Sequence, residues 1–354
     1  MTADARLTID LDALAANYRR LAAAAPGAET GPVVKADAYG LGAGPVARRL
    51  WAEGARSFFV ARVGEGESLR AALGPDRPST IHVFDGCPAG AAGRLTAASL
   101  TPVLNSAEQA ADWAAAGPAP AAIHVDTGMN RLGVRPQDLA ALPAGLKIDL
   151  VLSHLACAGE PEHVLNRLQL TRFVEVAHAF PRARRSLASS GGVYLGPDFH
   201  FDLTRPGISL YGGGPQGKPD PSFQPVATFE APVLQVREVG PGETVGYGAA
   251  YTATRPMRIG ILAAGYADGV LRAGAPGGYG WADGSPCPVL GRISMDLIAV
   301  DIGHAPGVRP GTMIELLGPN VAIDTAADRA GTIAYELLVR LGSRAERVYR
   351  GGQG

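Results

Sequence analysis

Short apolar runs alternate with Ala- and Leu-rich stretches of helical period through the first two hundred residues. The runs are Pro32-Val33-Val34, Phe58-Phe59-Val60, Ile81-His82-Val83-Phe84, Pro102-Val103-Leu104, Ile123-His124-Val125, Ile148-Asp149-Leu150-Val151-Leu152, Ser186-Leu187-Ala188 and Ile208-Ser209-Leu210. Most recur at roughly 20 to 25 residues, and the gaps hold helical stretches such as Pro45 to Glu53, Ala107 to Ala116 and Glu162 to Phe180. Ahead of them, Thr8-Ile9-Asp10 reads as a strand and Asp12 to Tyr18 as a helix with an Asp cap. Alternating strand and helix predicts a parallel sheet, and eight such units close a (β/α)8 barrel whose reacting groups sit at the carboxyl ends of the strands. Lys35, Arg62, Asp85, Asn105, Asp126, His154, Ser189 and Ser190 all fall at or just past the end of a run, as though gathered around one mouth.

From about Pro225 the texture changes. Val233-Leu234-Gln235-Val236, Arg258 to Leu262, Pro288-Val289-Leu290, Leu297 to Val300 and Met313 to Leu317 are strand-like runs separated by Gly and Pro turns, with no long helical stretch until Thr332 to Leu341. The expected architecture is α/β: an N-terminal TIM-type barrel over 1–220 and a mostly-β domain over 225–354, with the first strand, near 7–10, available to pair with the second domain. The Gly- and Pro-dense segment Gly212 to Pro225 reads as the linker.

Composition narrows the partners. The 354 residues are 47% hydrophobic and carry 32 basic and 33 acidic residues, a net charge of −1. No basic run is long enough to grip nucleic acid or anionic lipid. Cys87, Cys157 and Cys287 are few and widely spaced, which predicts neither a disulfide framework nor a metal site. Met1 to Arg20 lacks the basic-then-apolar layout of a signal peptide, and no apolar segment is long enough to span a bilayer, so a cytoplasmic protein is expected.

Lys35 is the chemical anomaly, a lysine leaving a short apolar run into a loop with Tyr39, Gly40, Gly42 and Gly44. Burying a lysine is costly unless it has a partner or a reaction, although such a side chain can also snorkel to solvent. Its segment, Val33-Val34-Lys35-Ala36-Asp37-Ala38-Tyr39-Gly40, resembles the pyridoxal phosphate lysine motif of the alanine racemase family. Six further segments resemble that family in family order: Asp126 to Gly133, Ser153-His154-Leu155-Ala156, Arg205 to Gly212, Val245-Gly246-Tyr247-Gly248, Gly265 to Gly269 and Gly291 to Asp296.

The resemblance implies a site. Racemising an α-amino acid means removing a weakly acidic Cα proton from one face and returning one to the other, so two bases flank the reacting carbon and pyridoxal phosphate serves as electron sink. Lys35 would anchor the cofactor and act as one base. Tyr247, reaching the site of the other subunit of a homodimer, would be the second, with His154 and Arg205 forming a hydrogen-bonded chain that favours its phenolate. Arg205 would also face the pyridine nitrogen and leave it unprotonated, because arginine donates but does not release its proton. Tyr39, Ser190, Gly207, Ile208 and Tyr335 would surround the phosphate. Arg131 and the Met295 amide would take the substrate carboxylate, and Tyr266 would narrow the entrance. The implied activity interconverts L- and D-alanine and supplies D-alanine for peptidoglycan.

Three positions depart from the family. His124 stands where many members have a carbamylated lysine that steadies the substrate-binding arginine, and a neutral His124, or an anion beside it, is expected to accept from Arg131 instead. Ser189 stands where asparagine is common, and Asp37 where asparagine is frequent. The competing readings are a same-fold racemase acting on serine or a broader set of amino acids, and a non-catalytic pyridoxal phosphate carrier. Carriers of that kind lack the β domain and Tyr247.

Overall fold

The computed structural model describes residues 4–117, 119–275 and 277–352. The chain divides into two compact units, one of Ala15–Leu210 and one of Tyr211–Gly352 together with the chain up to Leu14. Strand β1 (Arg6–Asp10) lies in the second unit, and the helix Leu11–Ala24 carries the chain into the first. The Asp10 carboxylate accepts from the amides of Asp12 and Ala13 and so caps that helix.

In the first unit β2 (Glu29–Thr30), β3 (Ser57–Val60), β4 (Thr80–Val83), β5 (Thr101–Leu104), β6 (Ala121–His124), β7 (Ile148–Leu152), β8 (Arg184–Ser186) and β9 (Leu203–Thr204) follow one another around a parallel barrel. β3 to β8 form one continuous sheet, and β9 pairs with β2. Hydrogen bonds join these pieces: Gly31 N to Thr204 O at 2.8 Å, Phe59 N to Pro32 O at 3.0 Å and Arg205 N to Ala188 O at 2.8 Å. β3 is buried along its whole length, as a parallel strand covered on both faces must be.

Two expectations need correction here. Ile208–Tyr211 is a 3₁₀ turn and not a strand, and Leu203–Thr204 is the eighth strand. Its amides explain why: Gly207 N and Ser209 N are turned onto the Ser190 hydroxyl at 2.9 and 3.3 Å, so they are unavailable to a ladder. Pro32-Val33-Val34 contributes only a bridge, Val33 to Phe59.

The second unit is built on β10 (Ala227–Val239), β11 (Thr244–Val245), β12 (Tyr251–Thr252), β13 (Met257–Leu262), β14 (Tyr279–Ala282), β15 (Ser285–Leu290), β16 (Ile298–Asp301), β17 (Met313–Leu317) and β18 (Glu346–Arg350). β10 pairs with β17 through its first half and with β13 through its second, shifting register between Val233 and Gln235. That double pairing closes β10, β13, β16, β15, β14 and β17 into an antiparallel barrel, from which β1 and β18 extend as a flange. The segment expected to be a linker is an integral part of this unit. Gly214 N donates to the Asp324 carboxylate at 2.8 Å and Phe223 is 4% exposed. Among the described residues no helix is long and apolar enough to cross a membrane.

Candidate active site

Lys35 opens a single left-handed turn. Ala36, Asp37, Ala38 and Tyr39 all have φ between 52° and 56°, and Gly40 follows at 82°. Left-handed conformation costs an L-residue about 1–2 kcal/mol, so four in a row need external restraint. The Glu65 carboxylate supplies it by accepting from Ala36 N at 2.9 Å and from Ala61 N at 2.8 Å, tying the start of the turn to the end of β3. Asp37 accepts from Ala43 N at 2.7 Å and closes the other end. Partial burial, reinforced by the Arg131 cation, holds the Lys35 amine below the usual lysine range, against the opposing pull of Glu65 and Asp85. Among the described residues Lys35 makes no ion pair.

Arg205 lies just past β9 and is 3% exposed. Its guanidinium donates to Ser153 O at 2.5 Å and, more closely still, to the Ser186 hydroxyl, spanning the ends of β7 and β8. No carboxylate is among these partners. Burial lowers its pKa to about 9, which still leaves a cation at neutral pH. A buried cation without a counter-ion is costly, and the residue fits a site whose ligand supplies the missing acceptor.

That cation sets the state of the imidazoles around it. His154 follows β7, and burial together with Arg205, Arg131, His124 and Lys35 pulls its pKa down to about 3. His124, at the end of β6 and 9% exposed, is pulled down to about 4 by burial and by Arg205. Both are neutral. The His154 ring makes no hydrogen bond among the described residues, and the arginine's donors go to Ser153, Ser186 and Leu187.

The tautomer of His124 follows from its neighbour. Both Asn105 Nδ2 protons are taken by Phe84 O and Val103 O, each at 2.8 Å, which leaves Asn105 Oδ1 facing His124 Nδ1 at 2.9 Å. Nδ1 therefore carries the proton, and Nε2 is an acceptor. The loop bearing Arg131 returns to the same strand end, with Val134 N on His124 O at 2.8 Å and Asp126 N on Val134 O at 2.9 Å.

The phosphate positions from this unit also converge. A Cβ at Gly207 would lie 2.2 Å from the Tyr39 hydroxyl, so only glycine lets that backbone and the tyrosine approach. Ser190 Oγ accepts from Gly207 N and Ser209 N, which leaves its own proton to donate. Ser209 Oγ is buried and has no hydrogen-bond partner, an orphan donor beside Gly207 and Ile208. Hydroxyls, close backbone and an unpaired cation suit a phosphorylated pyridine such as pyridoxal phosphate. Arg62 and Asp126, also at strand ends, have ordinary roles: Arg62 N-caps the helix Val63–Leu73, and the Asp126 carboxylate accepts from Gly128 N and Met129 N.

Tyr247, Tyr266, Met295 and Tyr335 belong to the second unit. Tyr247 stands on the turn between β11 and β12 and is 73% exposed. Tyr266 and Met295, 44% and 53% exposed, sit on two turns joined by Tyr266 N to Ser294 O and Ala267 N to Met295 O, both 3.0 Å. Asp268 accepts from Gly265 N at 2.9 Å and pairs with Arg344, which also reaches Asp296. Tyr335 lies on the helix Ala334–Arg340, and burial with the nearby Asp324 raises its pKa.

His82 and Gln169 were not singled out by their sequence context. His82 interrupts the apolar run of β4 and is stacked on Phe59, with ring centroids 4.6 Å apart. Gln169 occupies a helical position that periodicity assigns to the core, and a buried polar residue there was the only available signal.

Comparison with known proteins places these features in a family. Residues 9–215 match the family model for the alanine racemase N-terminal domain, and residues 226–349 match that for the C-terminal domain. The alanine racemase of Methylobacterium nodulans is 46% identical over 98% of this chain and 96% of its own. A catabolic alanine racemase of Agrobacterium fabrum is 44% identical over 98% and 92%. The crystal structure of the alanine racemase of Bartonella henselae, with covalently bound pyridoxal phosphate, superposes with a TM-score of 0.92 at 38% identity, covering 99% of this chain and all of that one. With both domain models matched in order along nearly the whole chain, the protein belongs to the alanine racemase family.

Proposed function

We propose that the protein is a pyridoxal phosphate-dependent racemase that interconverts L- and D-alanine, with Lys35 and Tyr247 as its two bases. The observation that carries the reading is Arg205, a buried cation with no carboxylate partner, on the same barrel mouth as a lysine of lowered pKa. When bound, the cofactor supplies the electron sink that makes the Cα proton removable.

Lys35, Tyr39, Ser190, Arg205, Gly207, Ile208 and Tyr335 would hold the cofactor. Arg205 would face the ring nitrogen, and because a guanidinium donates but does not release its proton it would leave that nitrogen unprotonated. Lys35, its amine held below the ordinary range, gives and takes the proton on one face. Tyr247 does so on the other, and its exposure on its own unit suits delivery into the site of a second subunit in a homodimer. Neutral His154 adds no positive charge of its own and leaves Arg205 and Arg131 as the cations that favour a phenolate. Arg131 and Met295 N hold the substrate carboxylate, with neutral His124 accepting from Arg131, and Tyr266 narrows the entrance. The enzyme works in the cytoplasm and supplies D-alanine for peptidoglycan.

The test is solvent exchange. The purified protein is yellow, loses that colour on borohydride treatment, and incorporates solvent deuterium at Cα of both alanine enantiomers, while Lys35→Ala does neither. A coloured protein that exchanges no α-proton from alanine would sink the racemase reading. A panel of L-amino acids in the same assay places alanine first, and a preference for serine would overturn the substrate.

A further inference from the structure

The helix Val164–Ala177 turns polar side chains inward at positions where a barrel helix ordinarily presents aliphatic ones. Asn166 and Gln169 are 1% and 0% exposed. With Arg172 they follow a three-residue spacing, which places them along one side of the helix. Each is committed to a loop at the barrel mouth. Asn166 Nδ2 donates to Cys157 O at 3.1 Å and Glu160 O at 2.9 Å, the outer part of the loop after β7. Arg172 donates to Thr127 O at 3.0 Å in the loop after β6.

Gln169 reaches both loops. Its Oε1 accepts from Ala156 N at 2.9 Å, and its Nε2 donates to His154 O at 2.9 Å and to Thr127 Oγ1 at 3.2 Å. Every proton of the amide is used, and the reversed orientation would set its oxygen against the His154 carbonyl. Thr127 Oγ1 and Ser153 Oγ are 2.8 Å apart, and Arg205 donates to Ser153 O at 2.5 Å. The main chain of His154 is therefore gripped on one side by Arg205 and on the other by Gln169. Through Thr127 the same amide is joined to the loop that carries Arg131.

We propose that Gln169 is a positioning residue for racemisation, one that fixes the His154 backbone and makes the His154 and Arg131 loops move as a unit. The proposal rests on the two-base reading, in which His154 and the Arg205 cation act on Tyr247. Displacing a positioned group by about 1 Å can cost on the order of 100-fold in rate, so a single lost donor beneath His154 is expected to be felt at the Tyr247 face.

The experiment uses the holoenzyme with Gln169→Glu and Gln169→Leu. Glutamate keeps the acceptor for Ala156 N and loses both donors; leucine fills the space and loses all three bonds. L- and D-alanine are mirror images, so their equilibrium constant is one and kcat/KM must be equal in the two directions. A slower step at one face appears instead in the primary isotope effects of α-deuterated substrates. The expected result is a loss in kcat/KM of roughly 10-fold or more. The isotope effect rises for the enantiomer deprotonated at the Tyr247 face and stays level or falls for the other. Asn166→Ala, which loosens the same loop away from His154, leaves the ratio of the two isotope effects as in the wild type.

Equal isotope-effect changes in both directions for the Gln169 variants, or undiminished activity, would overturn the proposal. Should those variants fail to fold, the near-isosteric Thr127→Val, which cuts the tie between the loops, decides the matter: it gives the same asymmetry at smaller size, and symmetry there overturns the idea. Tyr247→Phe serves as the reference. If it shows no asymmetry itself, the two-base reading has failed independently of Gln169.

Discussion

His82 should contribute to how the barrel responds to acid. It is 5% exposed in β4, stacked on Phe59, and its Nδ1 has no hydrogen-bond partner. Burial, with Arg184 and Arg205 nearby, pulls its pKa down to about 3. In the unfolded chain an imidazole titrates near 6.5. Between those values the unfolded state binds a proton and the folded state does not, so stability is intact above about pH 6.5 and falls as the pH drops towards the folded pKa. At pH 5 the unfolded chain gains about 1.5 pH units' worth of proton binding, or about 2 kcal/mol at 1.36 kcal/mol per unit. The figure depends on the unfolded value alone, because pH 5 lies well above the folded one.

His82→Phe retains a ring to stack on Phe59 and removes the titrating nitrogens. Urea unfolding of wild type and variant at pH 7 and pH 5, followed by circular dichroism and tryptophan fluorescence, gives the difference directly. The variant should lose about 2 kcal/mol less than the wild type on acidification, a midpoint difference of roughly 1 M urea. His124 and His154 titrate in both proteins and cancel. If the variant loses as much stability as the wild type between the two pH values, His82 is not held neutral by burial and the reasoning is wrong.

Gly207→Ala should collide with the Tyr39 hydroxyl 2.2 Å from the new methyl and destabilise the apo-protein by about 1–3 kcal/mol. Adding Tyr39→Phe leaves the next atom at 3.1 Å and should restore part of the melting temperature, whereas no restoration would place the strain elsewhere. His124→Ala should raise the KM for alanine by roughly 10-fold with a smaller change in kcat, the cost of losing one hydrogen bond to a charged group. Unchanged KM and turnover would mean that Arg131 does not use His124.

The strand rhythm of the barrel was legible because parallel strands buried on both faces are short, apolar and evenly spaced, as β3 to β7 are. It failed at Ile208-Ser209-Leu210 for a reason composition does not encode: the amides there are claimed by the Ser190 hydroxyl, and a buried 3₁₀ turn shows the same apolar run as a strand. The Gly- and Pro-rich segment before Pro225 looked like a linker because turn residues read alike whether the turn is loose or packed, and Gly214 is packed against Lys218 O. Lys35 and His154 were found as polar residues at run ends, and Arg205 through the resemblance of its segment to the family. Gln169 and Asn166 were not, since a polar side chain at a helical core position shows its partners only once the loop beneath it is seen. The partner of Asn105 was equally hidden, because a side chain bonding to another strand's end leaves no local pattern.

The placement of β1 has a consequence for how the protein is made. Arg6–Asp10 is sandwiched in its sheet between β10, which begins at Ala227, and β18, which begins at Glu346. A ribosome adding about 5–20 residues per second needs roughly 10–45 s to reach the first of these partners and longer for the second. During that interval the segments of the parallel barrel, which ends at Leu210, are synthesised one after another, while β1 waits with both edges unsatisfied. Its apolar residues Leu7 and Ile9, fully buried at the end, are exposed throughout the wait. β1 is thus made before the barrel strands that follow it and finds its place only after β10 and β18 have been made.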